Sequence, residues 1–212
     1  MKKFNCPACG AENMFRSALS LYIVCPYCHC SLFKTDDELA VLGKISQLAD
    51  DNSPLQMRSE GVYQNTIYSV VGRVRMKWAD GFWNEWCLFF KDGTTGWLAE
   101  AQGEFLITKE ITNTASVLAS DKWELNKSIA LDGFDFVICD LKRAEVFFSE
   151  GELPFRAHLG DKRYSADLRL ESGFMFGSLE QDEDSKKIRA YLGRSTELTD
   201  LKMTYLRTFN DW

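Results

Sequence analysis

The sequence predicts a mainly β protein, in which a small N-terminal ribbon precedes an antiparallel β-barrel or sandwich body that suggests two related β modules. Three observations carry this expectation. Two C-P-x-C units stand 15 residues apart near the start, short β-prone runs punctuated by glycine turns fill the rest, and no long helical periodicity separates those runs.

At 212 residues the chain is long enough for one or two domains with a sizeable core. Hydrophobic residues at 45% and charged residues at 26% match a globular chain and exclude wholesale disorder. Aromatics at 13% with only 4 prolines favour strands over linkers. No apolar run reaches the roughly 18 residues of a membrane span. Met1-Lys2-Lys3-Phe4-Asn5-Cys6 begins basic without an apolar stretch behind it, so no signal peptide is expected and the expected location is cytoplasmic.

The ribbon is expected over residues 1–34. Cys6-Pro7-Ala8-Cys9-Gly10 and Cys25-Pro26-Tyr27-Cys28-His29 form a C-x2-C-x15-C-x2-C pattern, inside the spacing window of zinc sites. Each C-P-x-C turn aims two thiolates at one point, and Gly10 permits the positive φ that brings backbone N–H groups to sulfur. His29 holds the equivalent place in the second knuckle; histidine is among the residue types enriched at positive φ. Ser20-Leu21-Tyr22-Ile23-Val24 is a β-prone run feeding that knuckle. Four thiolates, Cys6, Cys9, Cys25 and Cys28, close a tetrahedral shell and predict a structural Zn2+. His29 or Cys30 in place of Cys28, and a thioredoxin-like redox pair in one C-x-x-C, are the alternatives. Cys87 and Cys139 lie in apolar runs and are expected to be small core residues.

Net charge is −6 overall, which recruits neither nucleic acid nor anionic lipid. In residues 1–34, Lys2, Lys3, Arg16 and Lys34 outnumber Glu12, a local sum of +3 that zinc with four thiolates lowers to +1.

Residues 35–58 read as a linker. Leu39, Leu42, Ile45 and Ala49 approximate helical spacing behind Thr35-Asp36-Asp37-Glu38, but Gly43 weakens a helix and leaves an extended segment as the alternative. Asp50-Asp51-Asn52-Ser53-Pro54 then reads as a loop and hinge.

The β-rich domain is expected over residues 59–212. Strand-prone runs are Ile67 to Met76, Glu85 to Phe90, Thr95 to Ala99, Glu104 to Thr108, Phe134 to Cys139, Ala144 to Phe148, Tyr164 to Leu170 and Phe174 to Leu179. Asp92-Gly93 and Asp132-Gly133 are hairpin signals that accept the positive φ of primed turns. A shift of 67 residues lays Val62, Asn65-Thr66-Ile67 and Ser69-Val70-Val71 on Ile129, Asp132-Gly133-Phe134 and Phe136-Val137-Ile138. That match suggests repeat units 59–125 and 126–212.

Trp78, Trp83, Trp86 and Trp97 crowd one stretch. A spacing of three keeps Trp83 and Trp86 from sharing a face of one regular strand, so at least one is expected in a loop or at a rim, where tryptophan anchors contacts. His158 has no identifiable partner in the sequence, and Glu180-Gln181-Asp182-Glu183-Asp184 lacks the ligand spacing of a calcium loop. A phosphate loop, a nucleophile elbow and an H-E-x-x-H pair are all absent from the sequence, so no catalytic residue is assigned and the chain is expected not to be an enzyme.

Several stretches together resemble the bacterial domain of unknown function 4178 family. They are Phe15-Arg16-Ser17, Val24-Cys25-Pro26-Tyr27-Cys28, Ser53-Pro54-Leu55, Val71-Gly72-Arg73, Trp83-Asn84-Glu85-Trp86, Asp92-Gly93, Gly96-Trp97-Leu98-Ala99-Glu100-Ala101-Gln102-Gly103, Gly173-Phe174-Met175-Phe176 and Tyr191-Leu192-Gly193. The resemblance implies an N-terminal two-knuckle ribbon, supplies no catalytic residue or substrate, and points to a membrane-stress-related setting. The expected function is therefore that of a non-enzymatic zinc-ribbon protein binding another protein through Trp83, Trp86 and Trp97. Nucleic-acid binding through Lys2, Lys3, Arg16 and Lys34 is the second hypothesis, and an enzyme with a small-ligand site in the β body is the third.

Overall fold

A computed structural model describes residues 2–35, 38–45, 51–112, 117, 119–170 and 173–209. Ala49, Asp50 and the Asp36-Asp37 pair of the expected helix start lie outside the described residues.

The chain begins with the hairpin β1 (Lys2–Asn5) and β2 (Glu12–Phe15). Three strands follow, β3 (Tyr22–Val24), β4 (Cys30–Thr35) and β5 (Glu38–Lys44). β5 lies within the expected linker. Of the two alternatives there, the extended one is found: β5 pairs antiparallel with β4, and Gly43 falls at a register irregularity in that pairing.

Next come β6 (Glu60–Tyr63), β7 (Thr66–Trp78), β8 (Gly81–Phe90), β9 (Thr95–Ala101) and β10 (Glu104–Ile111). They form an antiparallel meander. A second meander consists of β11 (Ser128–Leu131), β12 (Phe134–Leu153), β13 (Lys162–Leu170), β14 (Met175–Asp182) and β15 (Ile188–Thr196). Each meander opens with a short hairpin: Gln64-Asn65 and Asp132-Gly133 both adopt positive φ at their two turn residues, the combination a type I′ turn requires. At Asp92-Gly93 only the glycine has positive φ. There the Gly93 N–H donates to Phe90 O at 3.0 Å and the Phe90 N–H to Thr94 O at 2.9 Å, a three-residue loop in place of the expected primed turn.

The meanders join at both ends. β10 pairs with β15 and β12 pairs with β7, which closes β7-β8-β9-β10-β15-β14-β13-β12 into an antiparallel ring. β12 is 20 residues long and serves four neighbours: β11 from Phe134 to Val137, β13 along its first half, β7 from Glu145 to Gly151, and β3 at Glu152 and Leu153. The sequence divides it into two runs because Asp140, Lys142 and Arg143 interrupt the apolar pattern. A bulge between Ile138 and Asp140 also turns Cys139 outward. Cys139 is exposed, which corrects its assignment to the core, whereas Cys87 is 1% exposed as expected.

Three clusters hold the body together. One fills the ring with Val71, Val74, Met76, Cys87, Trp97, Val146 and Tyr191, and Tyr22 of β3 joins it with no exposed surface. Phe155, just after β12, stacks on Trp97 at 5.3 Å between centroids. A second cluster on the opposite face of β7 to β10 buries Tyr68, Val70, Trp86, Leu88 and Leu98 under Leu55 and Leu201. The third does the same for the other half, with Phe136, Ile138, Leu168, Leu179 and Ala190 beneath Trp123 and Leu131. Adjacent residues such as Cys87 and Leu88 thus serve different cores, as the two-residue repeat of a strand dictates.

Charge is buried among these cores. Arg163 reaches Glu180 at 2.8 Å and Glu85 at 3.2 Å, and the Trp83 indole Nε1–H donates to Glu85 Oε1 at 2.8 Å. Burial and the neighbouring Glu180 carboxylate push Glu85 up from the ordinary 4.5 to about 7, against the pull of Arg163.

Candidate metal centre

The two knuckles repeat one backbone pattern. The Cys6 N–H donates to Ala11 O and the Gly10 N–H to Cys6 O, both at 2.8 Å. In the second knuckle the Cys25 N–H donates to Cys30 O and the His29 N–H to Cys25 O, both at 2.9 Å. Gly10 (φ 77°) and His29 (φ 58°) occupy the same left-handed place, so histidine tolerates the conformation glycine takes without strain.

These turns bring four sulfurs together. The Cys6, Cys9, Cys25 and Cys28 Sγ atoms all lie within 4.8 Å of one another, with Cys6–Cys28 at 3.7 Å and Cys9–Cys25 at 3.8 Å. A regular tetrahedron with Zn–S bonds of about 2.3 Å has sulfur–sulfur edges of about 3.8 Å. The cage therefore has dimensions that could hold a metal ion. Among the described residues, neither His29 nor Cys30 belongs to this group. The former lines a neighbouring cleft, and the latter begins β4 opposite Lys44.

The surroundings treat the sulfurs unequally. Burial acts to raise the Cys25 thiol, but backbone N–H groups of Cys28 and Tyr27 and the side chain of Asn13 outweigh it and lower it to about 7. Cys9 receives a backbone hydrogen bond at Ala11 that lowers it, yet burial and the neighbouring thiols of Cys28, Cys6 and Cys25 push it up to about 12. Four thiols this close cannot all ionise without a cation between them. Behind the cage, Cys6, Phe15, Ile23, Cys25, Leu32 and Leu39 form a small apolar cluster.

This unit is tied to the barrel. Glu152 Oε2 accepts from the Arg16 N–H at 2.8 Å, the Ser17 N–H at 3.3 Å and the Ser20 hydroxyl at 3.0 Å. The Tyr22 hydroxyl lies 3.0 Å from Ser149 Oγ. His158 has a partner the sequence did not reveal, Ser31 Oγ at 3.1 Å from Nδ1, which joins the loop after β12 to β4.

The tryptophans are placed differently from expectation. Trp83 and Trp86 both lie within β8, on opposite faces, and neither occupies a loop. Trp86 has no exposed surface and Trp97 is 5% exposed, so these two rings offer a partner nothing and are core residues. Trp86 donates from Nε1 to Glu100 Oε2 at 2.9 Å, and the Arg73 guanidinium sits 4.5 Å from its ring. Trp83 is half-buried. On the opposite face of β8, Phe82 meets Phe147 of β12 edge to face at 5.0 Å, the two exposed by 42% and 40%.

The fold and the cage together define an all-β protein carrying an N-terminal tetracysteine unit. The family model for a domain of unknown function, DUF4178, matches residues 59–198, and the chain belongs to that family. The match covers the barrel and leaves the cysteine unit outside it. Neither a curated protein nor a solved structure matches the chain.

Proposed function

We propose that this is a non-enzymatic protein whose Cys6, Cys9, Cys25 and Cys28 hold a structural Zn2+, and whose barrel binds another protein. The convergence of the four sulfurs at tetrahedral spacing carries the first part. With all four positions taken by thiolate, the ion has no open site for substrate, and its work is to fold the two knuckles and hold them against β12. For the second part, the contact surface shifts from the three tryptophans to Phe82 and Phe147, the exposed aromatic pair on β8 and β12, since Trp83 faces the other side of β8 and packs against the ring core. Nucleic-acid binding through the ribbon draws less support, because Lys3 is engaged by Glu12 at 2.9 Å and Arg16 lines a cleft.

The decisive experiment is elemental analysis of the purified full-length chain. One equivalent of zinc, lost in Cys6→Ser and Cys28→Ser and retained in Cys30→Ser, supports the reading. Metal-free protein with an unchanged fold overturns it.

A further inference from the structure

Between the cysteine unit and the barrel lies a cleft of about 890 Å³, within the range of roughly 300–1,000 Å³ occupied by small-molecule ligands. Its walls carry Asn13 and Arg16 from β2 and its continuation, Arg58 from the segment before β6, Arg73 of β7, Glu150 of β12, and Arg207.

The four arginines on these walls face four carboxylates, so their charges balance, but the pairing is uneven. Asp51 alone serves three guanidiniums: Arg73 and Arg75 in close ion pairs, and Arg207 at 3.2 Å. Glu150 lies 3.7 Å from Arg73. The Arg75 Nε–H is buried without a hydrogen-bond acceptor. Arg58 is exposed, and among the described residues its side chain makes no ion pair or hydrogen bond. Arg16 likewise makes no side-chain hydrogen bond or ion pair there, though its charge helps to hold down the buried Glu152 carboxylate. Arg58 is also held at φ 72°, a left-handed backbone that a long side chain adopts at a cost. That conformation is fixed by its N–H donating to Val70 O at 3.0 Å. On the opposite wall Asn13 is 3% exposed, and its Oδ1 accepts no hydrogen bond. A buried acceptor left unpaired costs about 1–3 kcal/mol, so a partner is favoured there.

We infer that this cleft binds a small ligand bearing an oxyanion, phosphate or carboxylate, clamped by the Arg58 and Arg16 guanidiniums, with a donor group of the ligand meeting Asn13 Oδ1. Guanidinium forks match such oxyanions bidentately, and Asp51 already holds Arg73, Arg75 and Arg207 in place behind them. The site abuts the cysteine cage, because Cys25 lines the cleft and Asn13 Nδ2 donates to Cys25 Sγ at 3.6 Å, whereas among the described residues neither clamp guanidinium hydrogen-bonds to a sulfur.

Calorimetric titration of the full chain at low salt with inorganic phosphate, and separately with citrate, tests this. Wild type is expected to bind at least one of them saturably. Arg58→Gln and Arg16→Gln are each expected to weaken that binding by tenfold or more, with a melting temperature in the anion's absence unchanged for Arg58→Gln and little changed for Arg16→Gln, because neither side chain makes a hydrogen bond or ion pair among the described residues. Phosphate binding without citrate binding identifies a phosphate ligand, and the reverse a carboxylate. Absence of saturable binding of either probe to wild type, or equal binding in wild type and both variants, overturns the proposal. Because two separate positions are changed, misfolding of one variant leaves the other to decide.

Discussion

Gly72 of β7 lies opposite Gly151 of β12, and neither position has room for a side chain. A methyl on Gly72 would stand 2.0 Å from Glu152 O, and one on Gly151 2.2 Å from Val71 O. This is where the ring closes. Gly72→Ala is therefore expected to cost about 3 kcal/mol or more, read as a lower urea midpoint, because backbone on both strands has to move. Gly103→Ala is the contrast. Its φ of 84° is strained but nothing lies within 4 Å, so a cost of about 1 kcal/mol is expected.

Removing the metal ligands acts locally. Cys6→Ser should release zinc and abolish amide protection in β1, β2 and the knuckles. Protection at Tyr22 and Ile23 should persist, since β3 pairs with β12 and Tyr22 is anchored in the barrel core. Hydrogen exchange by mass spectrometry distinguishes the two regions. Equal loss across the barrel would contradict a local role for the ion.

The aromatic side chains of β8 should separate stability from binding. Trp86→Ala empties a fully buried site and strips a partner from Glu100, for about 3–5 kcal/mol. Trp83→Ala is expected to cost less than half of that, while a Phe82→Ala/Phe147→Ala pair weakens association with a protein partner. Thermal melts and affinity measurements on the same samples read both.

Glu85 gives stability a pH dependence of defined sign. Its folded value is raised above the unfolded one, so its contribution is fully present below about pH 4.5 and is lost as pH rises through about 7. Glu85→Gln, which keeps an acceptor for Trp83, mimics the protonated form. It should melt above wild type at pH 8 and converge with it near pH 5. A variant less stable than wild type at pH 8 would mean that the Arg163 ion pair outweighs the burial of the charge.

Much of this was legible because it is periodic or motif-like. The knuckle spacing placed all four sulfurs, and alternation located most of the strands from β7 to β14. What escaped depended on residues distant in sequence. β15 is broken by Arg189, which is 2% exposed because Glu180 and Asp182 accept it, and a buried arginine disguises a core strand as surface. The Asp51 cluster joins residues from three parts of the chain. Trp86 and Trp97 looked like contact residues because their clustering is visible in the sequence, while the covering by Leu55 and Leu201, or by Phe155 and Tyr191, is not.

The shared duty of β12 has a kinetic consequence. Its closure partner Gly72 and its docking partner Ile23 are both synthesised long before Gly151 and Glu152, so the early chain must wait, with β3 and β7 offering open edges. Once β12 arrives, one strand locks the mouth of the cylinder and the perch of the tetracysteine unit in the same event. Cooperativity between the two ends is thus inherited from a single ribbon of backbone.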